Sequence, residues 1–228
     1  MAKRFSKEQL ESDALVTSYA RLVGFMQKNL TTVILGGVAV LLLIGGGIWF
    51  YLQGQAKEVE AQELMVHAER MFDQGEYESA LYGDDETFTA GFAEIIQDYS
   101  RTDAANMARY YAAVSAVRLG ENAGALDYIG RFNPPEGILG VGPISLHGVI
   151  LSNLGQYEEA ARRFGQAAEW DLNNTTTPRN LLLAARAAYE AGNNQDALDY
   201  LTQIIEEYEG SPAAEQALNL QGMLTARG

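Results

Sequence analysis

The residues able to do chemistry are few and scattered. His67 and His147 are the only histidines. Neither has a second ligand at metal-binding spacing, so both are expected to be structural and no metal is expected. Asp84-Asp85-Glu86 concentrates carboxylates but lacks the alternating ligands and the glycine of a calcium loop, and it reads as a solvated turn. Gly140-Val141-Gly142 is not followed by Lys-Ser/Thr, so it reads as a turn and not a phosphate cradle. Asn173-Asn174-Thr175-Thr176 contains glycosylation-type sequons, a short pattern that carries little weight by itself. Serines, histidines and acids form no recognisable nucleophilic triad. The chain has no cysteine, which excludes disulfides, thiolate catalysis and cysteine metal sites. An enzyme is not expected, and neither a cofactor nor a small-molecule substrate is implied.

Charge narrows the partners. The formal net charge is −14, from 30 acidic and 16 basic side chains. Nucleic acid is not an expected partner, because phosphate binding needs clustered Lys and Arg. The basic residues are also unevenly placed. Residues 1–29 hold Lys3, Arg4, Lys7, Arg21 and Lys28 against Glu8, Glu11 and Asp13, whereas Lys57 is the last lysine of the chain.

These residues sit on three kinds of element. The first is an apolar run, residues 30–52, without a single charge. It is long enough for a transmembrane helix, which needs about 20 residues. A cleaved signal peptide would have an apolar core of about 7–15 residues behind a short basic region. Trp49 and Tyr51 stand at the far end, where amphipathic aromatics favour the interface. Basic residues before the span place the N-terminus in the cytoplasm and export the C-terminal domain. A single-pass protein of the inner (cytoplasmic) membrane with a periplasmic C-terminal domain is therefore expected. Thr32, Gly36, Ala39, Leu43 and Gly47 recur on one face of the span and form a candidate docking face for another membrane helix.

The second element is the tail, residues 1–29. Ser6 and Gln9 have capping-box spacing, and Leu10, Ala14, Leu15, Leu22 and Phe25 recur at roughly helical intervals. It reads as a helix that lies on the leaflet, on a partner, or in solvent.

The third is repetitive. After a helical linker, residues 53–60, the domain of residues 61–228 carries a Gly followed five residues later by Ala at Gly75/Ala80, Gly120/Ala125, Gly155/Ala160 and Gly192/Ala197. The glycines are 45, 35 and 37 residues apart. A tetratricopeptide unit is a helix–turn–helix of about 34 residues, so the first interval implies an insertion. Gly148, Leu151, Ala160, Phe164 and Ala167 make the third unit the fullest match. Residues 95–105 echo residues 204–214 without a gap; each copy ends a helix in Tyr99 or Tyr208 and restarts through Thr102-Asp103 or Ser211-Pro212. Residues 81–91 and 133–143 break the pattern with loop-forming residues, and Pro212 to Ala226 reads as a capping helix. The expected fold is all-α: one N-terminal transmembrane helix, then a tetratricopeptide-type α-solenoid of about four helical hairpins plus a cap.

Solenoids of this kind bind along a concave face made by the first helix of each hairpin. In the usual phase that face would comprise Met65, Phe72, Met107, Tyr110, Val114, Val117, Arg118, Val149, Asn153, Leu182, Arg186 and Tyr189. Core and groove differ by one helical position, so some of these could be core residues instead. A clamp for a terminal carboxylate built from lysines and asparagines is not expected, since no lysine follows Lys57. Extended apolar segments suit such a surface better.

Several stretches together resemble one family. They are Asp13-Ala14-Leu15-Val16-Thr17, the basic-flanked span, Ala80-Leu81-Tyr82-Gly83-Asp84 continuing to Gly91-Phe92, Ile95-Ile96-Gln97-Asp98-Tyr99-Ser100, Ala108-Arg109-Tyr110-Tyr111-Ala112 and Thr176-Thr177-Pro178. Over nearly its whole length the chain resembles bacterial membrane-anchored tetratricopeptide proteins related to the ancillary subunit of the SecYEG translocon, in a Bacteroidetes-type branch. The resemblance implies a periplasmic repeat domain beside the translocon. Its implied partners are SecYEG, a membrane-anchored peptidyl-prolyl isomerase and unfolded exported chains, and its implied role is to hold or hand on such chains. A structural scaffold subunit of another cell-envelope complex, docked through its span, is the alternative.

Overall fold

A computed structural model describes residues 7–84 and 88–227. Ser6 of the expected capping box, the side chains of Leu10, Ala14 and Leu15, and Asp85 and Glu86 lie outside the described residues. The chain divides into two compact units, Met1–Ala56 and Lys57–Gly228. The described residues form eleven helices, and the only extended pairing among them is an isolated bridge between Asp84 and Thr89.

The first unit contains α1 (Lys7–Lys28) and the start of α2 (Leu30–Asp73). An 18-residue window of α2 has a mean hydropathy of 2.4 and none of it is buried. This helix is long and apolar enough to cross a membrane. Residues 53–60 are helical, within α2, which continues unbroken to Asp73.

The second unit stacks hairpins. The last turns of α2 are followed by α3 (Tyr77–Tyr82) and α4 (Phe92–Asp98), then by α5 (Asp103–Leu119) with α6 (Asn122–Gly130). Next come α7 (Ile138–Asn153) with α8 (Tyr157–Trp170), α9 (Thr176–Glu190) with α10 (Asn194–Glu207), and the closing helix α11 (Pro212–Arg227). The Gly-to-Ala signature has a local cause. Gly75, Gly120, Gly155 and Gly192 all take a left-handed φ, between 73° and 82°. That conformation suits glycine and lets the next N–H fold back onto the helix just ended. Glu76 N donates to Met71 O, Glu121 N to Ala116 O, Gln156 N to Leu151 O and Asn193 N to Ala188 O, each at 2.8 or 2.9 Å. The carbonyl of that same residue then accepts the first bond of the following helix, from Ala80, Ala125, Ala160 and Ala197. All four alanines are 0% exposed, so a larger side chain has no room where the two helices meet.

Burial is divided along the stack, as expected when each repeat touches only its neighbours. One core gathers Met65, Leu81, Phe92, Ile95 and the alanines of α5. Another gathers Leu151, Phe164, Leu201, Ile204 and the alanines of α9 and α11. Helix α7 lies between them, with Ile150 in the first core and Leu151 in the second. The Gly148 backbone passes so close to Phe164 that an added Cβ would stand 2.7 Å from its ring.

The two interruptions differ from their expected bounds. Helix α3 runs on to Tyr82, and the break spans residues 83–91. The second break is shorter than residues 133–143, since α7 begins at Ile138 and contains Pro143. Pro143 withholds an N–H from the Leu139 carbonyl, and Leu139 is 74% exposed, so water can take that bond.

Candidate functional site

The expected binding face lies on first helices, and its members divide by burial. Met65 and Leu182 are 5% and 6% exposed and belong to the two cores. Both sit one helical position away from a surface stripe, a rotation of about 100°. On α2 the buried stripe is Ala61, Met65 and Ala68, beside an exposed Val66. On α9 the outward stripe is Arg179, Leu183, Arg186 and Glu190, with Leu183 half-buried. Phe72, Tyr110, Val114, Val117 and Tyr189 are half-buried. Phe72 stands edge-on to Tyr111 at 5.1 Å, and Tyr110 lies 5.8 Å from Phe132. Met107, Arg118, Val149, Asn153 and Arg186 remain exposed.

Several exposed polar members are already engaged. Arg118 sits 5.9 Å over the Tyr77 ring. Arg186 donates to Gln216 of α11 at 2.8 Å, and Asn153 donates to Asn122 at 3.0 Å. What the face offers freely is apolar: Val66, Met107 and Val149. In the first unit, Thr32, Gly36, Ala39, Leu43 and Gly47 are all exposed, and no atom lies within 4 Å of a Cβ built on either glycine.

A second feature was not foreseen in the sequence. Helices α6 and α8 are the second helices of adjacent hairpins, yet α6 has 9 residues and α8 has 14. Aligned on Ala125 and Ala160, α6 stops where α8 still has a turn to run. The shortfall is about 7.5 Å at 1.5 Å per residue. A cleft of about 260 Å³ opens there, lined by Ile129 and Gly130 at the end of α6, Phe132 and Pro134 in the connection, Pro143, Ile144 and His147 of α7, and Arg163, Gln166 and Trp170 of α8.

The connection forming one wall is pinned at two points. Asn106 of α5 donates to Asn133 O and accepts from Asn133 N, each at 2.9 Å. Trp170 Nε1 donates to Pro135 O at 3.1 Å, packed where Gly140 leaves room for the indole. Burial holds the His147 imidazole below its ordinary pKa, and the nearby Arg163 guanidinium pushes in the same direction, while Glu159 opposes both. Among the described residues, no cluster of three His, Asp or Glu side chains could hold a metal ion.

Comparison with known families finds a match to the tetratricopeptide repeat over residues 179–211, the hairpin of α9 and α10. No curated protein and no solved structure matches the chain. The match and the folded hairpins agree on a repeat architecture of the kind that binds other proteins.

Proposed function

We propose that this chain is a non-catalytic, membrane-anchored interaction module whose repeat domain lies in the periplasm and serves the SecYEG translocon as an ancillary, chaperone-like partner. The observation that carries the binding role is the tetratricopeptide match on a hairpin whose first helix turns Arg179 and Arg186 outward. The apolar Val66, Met107 and Val149 on neighbouring first helices fit extended apolar segments, such as an unfolded exported chain or part of a membrane-anchored isomerase. The surrounding acidic surface would disfavour acidic clients. Export of the domain rests on Arg21 and Lys28 close before the span, with more basic residues upstream, against a lone Lys57 followed by Glu58, Glu60 and Glu63 beyond it.

A scaffold role in another envelope complex, docked through the span, is supported by the exposed small-residue face at Gly36 and Gly47. One experiment separates the two readings. The tagged full-length chain is purified from mild detergent as the parent, as Met107→Glu/Val149→Glu and as Gly36→Leu/Gly47→Leu. Translocon components or an isomerase lost only from the first variant support the groove reading. Partners lost only from the second support docking through the span. Reporters fused at residue 2 and after Gly228 check the topology, and an active cytoplasmic reporter at the C-terminus would overturn the periplasmic assignment.

A further inference from the structure

The cleft beside the shortened α6 belongs to neither the first-helix face nor the span. Its apolar boundary is set by the buried Ile129, Pro143 and Ile144 and the half-buried Phe132 and Trp170. Against this boundary stand two polar side chains with unused capacity. Arg163 Nη1 donates to Gln166 Oε1 at 3.1 Å, and among the described residues no carboxylate forms an ion pair with it. His147 has no hydrogen-bond partner among the described residues. Among the described residues only Arg131 and Arg162 form ion pairs, so what singles out Arg163 is its place on a cleft with an apolar wall, within reach of a carboxylate that a ligand brings.

We propose that the cleft binds an apolar group bearing a carboxylate, the hydrocarbon part against Phe132, Ile144 and Trp170 and the carboxylate on the Arg163 guanidinium. The planar fork of arginine donates two parallel N–H bonds to a carboxylate, which a lysine cannot do. The anion pairs with Arg163 and not with His147, whose charged form is disfavoured by burial and by Arg163 itself. The volume decides the size class. Pockets for drug-sized ligands run to about 300–1,000 Å³, so 260 Å³ suits a single side chain or a small acid and not a nucleotide. The two tethers on the connection, Asn106 to Asn133 and Trp170 to Pro135, hold the wall in place before the ligand arrives. The carboxylate can come from the last residue of a polypeptide or from a free small acid.

Trp49 and Trp170 are the only tryptophans, so Trp49→Phe leaves the cleft residue as the sole reporter. The full chain carrying that change, in lipid nanodiscs, is titrated with N-acetyl-phenylalanine, its amide, 3-phenylpropionate and N-acetyl-Ala-Ala-Phe with a free terminus. A saturable change in Trp170 emission is expected for the acids, with the amide binding at least tenfold more weakly. Arg163→Gln should bring acid and amide to equal affinity, and Arg163→Lys should retain part of the difference. No saturable response, equal binding of acid and amide by the parent, or discrimination that survives Arg163→Gln overturns the proposal. A tripeptide at least tenfold tighter than 3-phenylpropionate identifies a polypeptide terminus as the source, and equal affinity identifies a small acid. Met107→Glu, on the first-helix face, leaves this binding unchanged, so failure here is separate from failure of the groove reading.

Discussion

Replacing Gly148 by alanine tests the packing of the third hairpin directly. The new methyl would stand 2.7, 2.8 and 3.0 Å from Cε1, Cδ1 and Cγ of Phe164. Carbon atoms rest about 3.5–4.0 Å apart, so the ring or the helix must move. Phe164 is 3% exposed and packs among Leu151, Leu181 and Leu201, which leaves the ring nowhere to swing. Overpacking of this kind costs about 1–3 kcal/mol. Alanine also gains roughly 1 kcal/mol of helix propensity over glycine, which partly hides the clash. Gly222 of α11 supplies the control: it is exposed, and no atom lies within 4 Å of its built Cβ. Gly222→Ala should therefore stabilise by up to about 1 kcal/mol, while Gly148→Ala falls about 1–3 kcal/mol below it. With 2–4 °C per kcal/mol for domains of 150–250 residues, the two melting temperatures should differ by roughly 2–12 °C. Far-UV circular dichroism of the full chain in detergent reads the difference. Adding Phe164→Leu to each variant should narrow the gap, because the shorter side chain relieves only the Gly148 clash. Equal melting temperatures for the two alanine variants would refute the close crossing.

Three further outcomes rest on single contacts. Glu58 accepts from Asp103 N at 2.7 Å and Ala104 N at 3.1 Å, so Glu58→Ala should cost about 1 kcal/mol and speed amide exchange at the start of α5. In a His67→Gln background, the single imidazole followed by NMR should titrate below 6.5, and Arg163→Gln should raise that value, since one of its two depressing causes is removed. The linked stability is complete above pH 6.5 and is lost as pH falls toward the folded value; a folded pKa above 6.5 would contradict the burial. Gly140→Ala places a Cβ 2.2 Å from Pro135 O and 2.3 Å from Trp170 Nε1, so it should break that hydrogen bond and red-shift Trp170 emission.

What the sequence showed and what it hid divide along physical lines. The turn glycines were legible because ending a helix is a local event: one left-handed residue, one backbone bond folded back, one small residue at the start of the next helix. The Tyr99 and Thr102 restart was legible for the same reason, and Thr102 Oγ1 does accept from Ala105 N at 3.0 Å. The binding face was harder to read. Leu181, Leu182 and Leu183 are equally apolar, yet the first two are buried and the third is half-buried. Hydropathy cannot choose among three successive leucines when small alanines fill the rest of the helix. The Glu58 cap on α5 spans 45 residues and leaves no local pattern. A signal for the cleft did exist: in the Ala125–Ala160 register Gly130 falls opposite Gly165, after which one copy continues as helix and the other meets Pro134-Pro135. Reading it required asking how long each second helix was, not only where each hairpin turned.

The two interruptions of the repeat differ in how they are held. The first is an insertion, in the 45-residue interval from Gly75 to Gly120, whereas the second lies in an ordinary 35-residue interval, where the connection stands in place of the last residues of a shortened α6. The first is closed by its own backbone. Asp84 and Thr89 bond reciprocally at 2.9 and 3.0 Å, and Gly91 approaches Gly83 so closely that a Cβ on Gly91 would stand 2.3 Å from Gly83 N. Phe92 then enters the core at 0% exposure. The second interruption instead comes after a helix that stops short, and its tethers fix the connection to α5 at Asn133 and to the end of α8 at Pro135, with the cleft beside them. The small apolar cluster of Val141, Ile144 and Ala167, with Trp170 packed on it, is too slight to fill a missing turn of helix. An array that only needed stability would have lengthened α6. The opening sets Arg163 beside a wall of Phe132, Ile144 and Trp170, a combination that separates this cleft from the first-helix face that every hairpin shares.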